Sequence, residues 1–116
     1  MTDETAASRL TLDIERSGNV AVVRLSGELV AGVTNFLYAE IGSLIPDSKR
    51  IVLDLTDLVH MDSMGLGTLV RLYVSTKAAG CALELVNLGK RIRQLLGVTH
   101  LLSVFTIIGE SNARIP

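Results

Sequence analysis

The residues with chemistry to offer gather in one short stretch, His60-Met61-Asp62-Ser63-Met64-Gly65-Leu66-Gly67. A serine beside an aspartate, with a histidine nearby, has the composition of a nucleophilic system. Adjacent residues do not reach triad geometry, however, and no G-x-S-x-G elbow is present. A metal held by His60 and Asp62 lacks further ligands at a suitable spacing. Gly65-Leu66-Gly67 opens a G-x-G pattern, but Val70 stands where the third glycine belongs. Asp62 also puts a carboxylate where a pyrophosphate would rest, and the strand read at 51–55 stops several residues short of the helix. What the stretch does describe is a helix start. Asp62 or Ser63 can accept hydrogen bonds from the first free backbone N–H groups. Glycines in the first turn cost about 1 kcal/mol each relative to alanine, so Gly65 and Gly67 call for something that approaches the backbone closely. The free N–H groups and the positive end of the helix dipole suit a phosphate.

The elements that must position this stretch follow from hydrophobic periodicity. Leu10, Leu12 and Ile14 alternate with Thr11, Asp13 and Glu15, the period-two pattern of a half-buried strand. Ser17-Gly18-Asn19 supplies a turn into a second strand at 20–26, ended by Gly27, so the two form an antiparallel hairpin. From 31 to 45 the period becomes helical, with Val33, Phe36, Leu37, Ile41 and Leu44 on one stripe, and Pro46 stops it. The apolar run 51–55 predicts a central strand. A helix over 64–79 carries the stripe Leu66, Leu69, Val70 and Tyr73, with Gly80 as its terminating glycine. A strand at 81–86, a turn at Asn87-Leu88-Gly89, a short helix through Ile92, Leu95 and Leu96, and a strand at 104–108 complete the chain. The order β-β-α-β-α-β-α-β predicts a small mixed sheet of the α/β class with helices mainly on one face. Residues 1–116 read as one domain with an ordered core at about 10–108, the residues on either side being tails.

Composition excludes several functions. The chain has 116 residues, 48% hydrophobic and 20% charged, and a formal net charge of −1; a globular core is available, and no strong basic field exists for a nucleic-acid backbone. Aromatic residues make up 3%, with no Trp, so stacking platforms for single strands are lacking. Lys90, Arg91 and Arg93 form the densest basic cluster, read as a solvated helix face or a docking patch for an acidic partner. Cys81 is the single cysteine, which excludes an internal disulfide and suggests packing. His100 lies in an apolar stretch and reads as structural. The acidic start Met1-Thr2-Asp3-Glu4 does not have the plan of a signal peptide, and no stretch reaches the ~20 apolar residues of a membrane span. The expectation is a cytoplasmic protein without direct nucleic-acid binding or membrane insertion.

The segment from Val52 to Gly67, which includes Asp54-Leu55-Thr56-Asp57 and Asp62-Ser63-Met64-Gly65-Leu66-Gly67, resembles the signature of the STAS domain. That family includes bacterial anti-sigma factor antagonists and cytoplasmic domains of sulphate transporters. Leu25-Ser26-Gly27-Glu28-Leu29 is similar to the end of the family's second strand, and the resemblance spans roughly 10–108. Phosphorylated members carry Asp-Ser-Ser-Gly or a close variant followed by Leu-Gly, and their acceptor serine corresponds to Ser63. The chain departs from the pattern at Val30, where many members have Asp, and at Met64, where the second serine stands. The resemblance implies partner switching in transcription regulation, of the stress-response kind. The unphosphorylated protein binds an anti-sigma factor that is also a serine kinase and frees a sigma factor; phosphorylation of Ser63 switches it off, and a phosphatase restores it. Asp62, Ser63, Met64, Gly65, Gly67 and Leu29 form the implied partner surface, the glycines permitting close approach and Met64 and Leu29 giving apolar contact. Such a protein is a substrate and a binder rather than an enzyme and has no cofactor of its own; ATP and Mg²⁺ belong to the kinase. The alternative within the family is a STAS subunit stably bound to a membrane transporter complex, in which Ser63 is only a helix cap.

Overall fold

The computed structural model describes residues 9–99 and the backbone of residues 106–108. Expectations for the two tails, for His100 and for the start of the last strand at 104 and 105 lie outside the described residues. Strand β1 (Leu10–Ser17) turns through Gly18 and Asn19 into β2 (Val20–Leu29), and the two pair antiparallel. Helix α1 (Thr34–Gly42) and a 3-10 turn (Ile45–Asp47) lead to β3 (Arg50–Met61). Helix α2 (Ser63–Ala78), β4 (Ala82–Val86), α3 (Lys90–Val98) and β5 (Thr106–Ile108) follow. The sheet order is β1-β2-β3-β4-β5, parallel from β2 onward.

That order explains the placing of the helices. Each crossover from β2 onward moves one strand further in the same direction, and right-handed crossovers that all step the same way put their helices on the same face. The inner face carries Ala21, Val23, Leu25, Ile51, Leu53, Leu83 and Leu85, all buried in one core with Leu37, Ile41, Leu69, Leu72, Ile92 and Leu96 from the helices. The other face is charged. Arg24 meets Asp54 at 3.6 Å and Arg50 meets Glu84 at 2.8 Å across neighbouring strands, while Val22 is exposed. Helices α1 and α2 are tied together by a 2.8 Å hydrogen bond between the Tyr38 and Ser75 hydroxyls and by Arg71 stacked 4.0 Å over the Tyr38 ring.

The bounds of three elements differ most from the sequence reading. Gly27 does not end β2, which continues to Leu29; Gly27 has φ +107 and lies where β2 and β3 slip in register. Strand β3 does not stop at 55 but runs to Met61. Two register shifts against β2 each put one extra residue into β3, between the partners of Arg24 and Ser26 and again between those of Gly27 and Glu28. The bulges break the period-two alternation, and β4 pairs with β3 only as far as Asp54, so the second half of β3 loses the continuous apolar character of a central strand. Helix α1 starts at Thr34 rather than 31 and ends at Gly42, with Pro46 inside the 3-10 turn. Ala31–Val33 are instead drawn into a turn closed by the Val33 N–H on the Val30 carbonyl, 3.1 Å. Cys81 is buried as expected, and that burial pushes its thiol pKa up, away from reactivity.

Candidate functional site

The site is the junction of β3 and α2. Asp62 has extended backbone (φ −105, ψ −175) and caps the helix: its Oδ1 accepts from the Gly65 N–H at 3.0 Å. Its Oδ2 accepts from the Ala31 N–H at 3.1 Å, across 31 residues of chain, and its own N–H donates to the Leu29 carbonyl at 3.3 Å. One carboxylate thus fastens the end of β2 and the following turn to the start of α2. The Gly65 and then the Ala31 hydrogen bonds hold the carboxyl below its ordinary pKa, outweighing slight desolvation, with smaller help from the Met64 N–H and His60.

With Asp62 as the cap, Ser63 is freed from that task. It is the first helical residue, exposed, and its hydroxyl has no hydrogen-bond partner among the described residues. Met64 beside it is 56% exposed. Gly67 is exposed too, and nothing lies within 4 Å of where a Cβ would stand. These three residues form one accessible patch over the positive end of α2.

Leu29 and Gly65 do not belong to that patch. Leu29 is fully buried, so it offers no apolar contact to a partner. Gly65 is buried against it: a Cβ at Gly65 would collide with the Leu29 carbonyl oxygen and stand 2.8 Å from Leu29 Cγ. The glycine serves the packing of α2 on the end of β2, not the approach of another molecule. Val30, where many family members have Asp, is also buried, so this position offers no carboxylate to Ser63.

The competing chemistries find no support in this geometry. No hydrogen bond links His60, Asp62 and Ser63, and both Asp62 oxygens are committed to backbone N–H groups. Among the described residues no group of three or more His, Cys, Asp or Glu is placed to hold a metal ion. Strand β3 runs on to Met61 and leads directly into α2, so an early strand end is no argument against a dinucleotide. The Asp62 carboxylate on the helix N-terminus and the packed Gly65 oppose the approach of a pyrophosphate.

Comparison with known proteins covers nearly the whole of this fold. The family model of the STAS domain matches residues 11–112. The chain belongs to the STAS-domain family. Within it, the chain is 26% identical over 106 residues to the anti-sigma-B factor antagonist of Bacillus subtilis (strain 168), covering 91% of this chain and 97% of the relative. It is 29% identical over 107 residues to the anti-sigma F factor antagonist of Paenibacillus polymyxa, covering 90% and 92%. The crystal structure of an anti-sigma factor antagonist from Mycobacterium paratuberculosis superposes with TM-score 0.75 at 26% identity, covering 90% of this chain and 89% of that one. No helix among the described residues of this STAS domain is long and apolar enough to cross a membrane.

Ala31, which donates to Asp62, carries no mark of this role in the sequence. Its contribution is a backbone N–H, which any residue other than proline supplies, so no side-chain signal could have marked it.

Proposed function

We propose that this STAS domain is an anti-sigma factor antagonist switched by phosphorylation of Ser63. The observation that carries the reading is the division of labour at the helix start, where Asp62 does the capping and leaves the Ser63 hydroxyl exposed and uncommitted. Ser63, Met64 and Gly67 meet the anti-sigma factor, which is also the kinase, and Asp62 holds the loop and helix that present them. In the transfer, the Ser63 oxygen attacks the γ-phosphorus of ATP bound to the kinase. An O–P bond forms as the bond to the ADP oxygen breaks, and the hydroxyl proton passes to a base of the kinase. ADP leaves with the Mg²⁺ that the kinase supplies. The product carries about −1.5 to −2 charge where a small neutral group stood. The α2 dipole tolerates that charge within the folded domain, but the partner surface packed over it does not. A phosphatase reverses the change.

Two substitutions separate the parts of this proposal. Because Ser63 is not the cap, Ser63→Ala should change stability by less than about 0.5 kcal/mol, bind the anti-sigma partner like the parent, and take up no phosphate. Ser63→Asp should fold as well, since an acidic group suits the first turn, yet bind roughly a hundredfold more weakly, because an unpaired charge forced into an interface costs several kcal/mol. Calorimetric titration of both variants, with phosphate mapped in the parent after incubation with kinase and ATP, decides the matter. Equal affinity of the two variants, or phosphate on a residue other than Ser63, would remove the switch.

A further inference from the structure

Strand β4 pairs with β3 only as far as Asp54, whereas β3 runs on to Met61. Helix α3 packs against β3, and its residues face the end of this overhang at His60 and Met61. Between the two opens a cleft of about 350 Å³, lined by His60 and Met61 from β3 and by Arg91, Ile92, Leu95 and Val98 from α3. Its floor is apolar: Met61 and Ile92 are buried and Leu95 is half-buried. At its lip Val98 is 74% exposed, more than any other large apolar side chain among the described residues. Clefts of ~300–1,000 Å³ with an apolar lining and a few convergent polar groups are the usual form of a small-molecule site.

Among the described lining residues the one charged side chain at neutral pH is a cation, Arg91. Arg91 and His60 line the cleft together with the neutral Gln94, and no carboxylate is among the described lining residues. The acid nearest in register, Glu28 opposite His60 on β2, does not reach it. Arg91 makes no ion pair or hydrogen bond among the described residues. It follows Lys90 at the start of α3, where cations oppose the helix dipole, and the first turn contains no acidic residue to offset them. Fold stability therefore gives no reason for a cation at this place, whereas an anion in the cleft does.

We propose that the cleft between α3 and the β3 overhang binds a small amphipathic anion. Its hydrocarbon body lies on Ile92, Leu95 and Val98, and its carboxylate or similar head group is held by Arg91, with Gln94 and His60 in reach as hydrogen-bonding groups. This site is separate from the phosphorylation of Ser63 and does not rest on it.

The test uses the full chain and sodium octanoate, with octanol and octylammonium chloride as probes of equal length and different charge. Methyl resonances of Met61, Ile92, Leu95 and Val98 are followed by NMR during titration. Octanoate should shift them saturably and bind at least about tenfold more tightly than octylammonium, with octanol between. Arg91→Gln, a change at an exposed position, should weaken octanoate about tenfold and leave octanol unchanged. Added salt should weaken octanoate alone. Three probes of equal affinity, no saturable shift, or shifts confined to another face would overturn the proposal. So would a cleft that ignores octanoate but closes as the chain self-associates, or one that ignores it while Arg91→Gln weakens binding of the anti-sigma partner.

Discussion

Gly65 and Gly67 stand two positions apart on one helix, and a methyl group added to each meets opposite surroundings. At Gly65 it would collide with the Leu29 carbonyl, whereas at Gly67 it meets open space. Gly65→Ala should therefore force α2 away from the end of β2 and cost about 1–3 kcal/mol, the usual range for overpacking. Gly67→Ala should raise stability by up to about 1 kcal/mol, since alanine is the better helix former and nothing opposes it. Urea denaturation of both variants reads this directly, and two changes of the same sign would show that the account of Gly65 is wrong. Gly67→Ala also probes the proposed partner surface, because a more stable domain with weaker anti-sigma binding places the partner against Gly67. The sequence marked both glycines as departures from helix propensity. It could not tell them apart, because the difference lies in Leu29, 36 residues before Gly65 in the chain.

The attachment of α2 to the turn after β2 depends on the charge of one side chain. Asp62 accepts from Gly65 at 3.0 Å and from Ala31 at 3.1 Å, bonds that hold its carboxyl pKa low. A carboxyl with a lowered pKa stabilises the fold above the ordinary value of about 4 and loses that contribution as pH falls through the folded value. Asp62→Asn keeps an acceptor for Gly65 but turns an amide N–H toward the Ala31 N–H, donor against donor. The variant should be less stable than the parent at pH 7, with the gap closing as pH falls below about 4, and its Ala31 amide should exchange faster. Melting curves against pH and amide exchange make the measurement; a gap independent of pH would mean the charge of Asp62 does not hold the turn. Asp54 does not confuse the comparison. Burial raises its pKa, but the Thr56 N–H and hydroxyl, Asn87 and Arg24 together bring it lower, equally in both proteins. At this scale α2 was legible to within one residue at each end, through its cap and its apolar stripe. Helix α1 and strand β3 were not, because Asp62 drew residue 31 out of the helix and two bulges disrupted the alternation of β3.

Among the described residues the helices cover one face of the sheet, and the other face carries charged cross-strand pairs. Leu53 on the inner face is fully buried, while Val22 on the outer face is 37% exposed. Leu53→Ala should cost about 2–5 kcal/mol, a large share of the ~5–15 kcal/mol that holds a small domain together. Val22→Thr, close in shape, should stay within about 0.5 kcal/mol. Denaturation midpoints compare them, and a comparable loss at both sites would show that the outer face is covered in solution.

What the amino-acid order determined alone was local: the alternation of Leu10, Leu12 and Ile14, the helical stripe through Leu66 and Leu69, the capping chemistry at Asp62-Ser63, and from these the succession of strands and helices. Such signals survive in one dimension because each depends on neighbours a few residues away. Which residues of the signature face outward was decided only in three dimensions. Leu29 and Gly65 went inside because the end of β2 and the start of α2 pack on each other. Asp62 acquired its second bond because the same packing brings Ala31 to it. The cleft beside His60 and Met61 exists because β4 is shorter than β3, a relation between two strands that neither contains by itself. Burial and register are properties of pairs distant along the chain, and they appear only when the chain closes on itself.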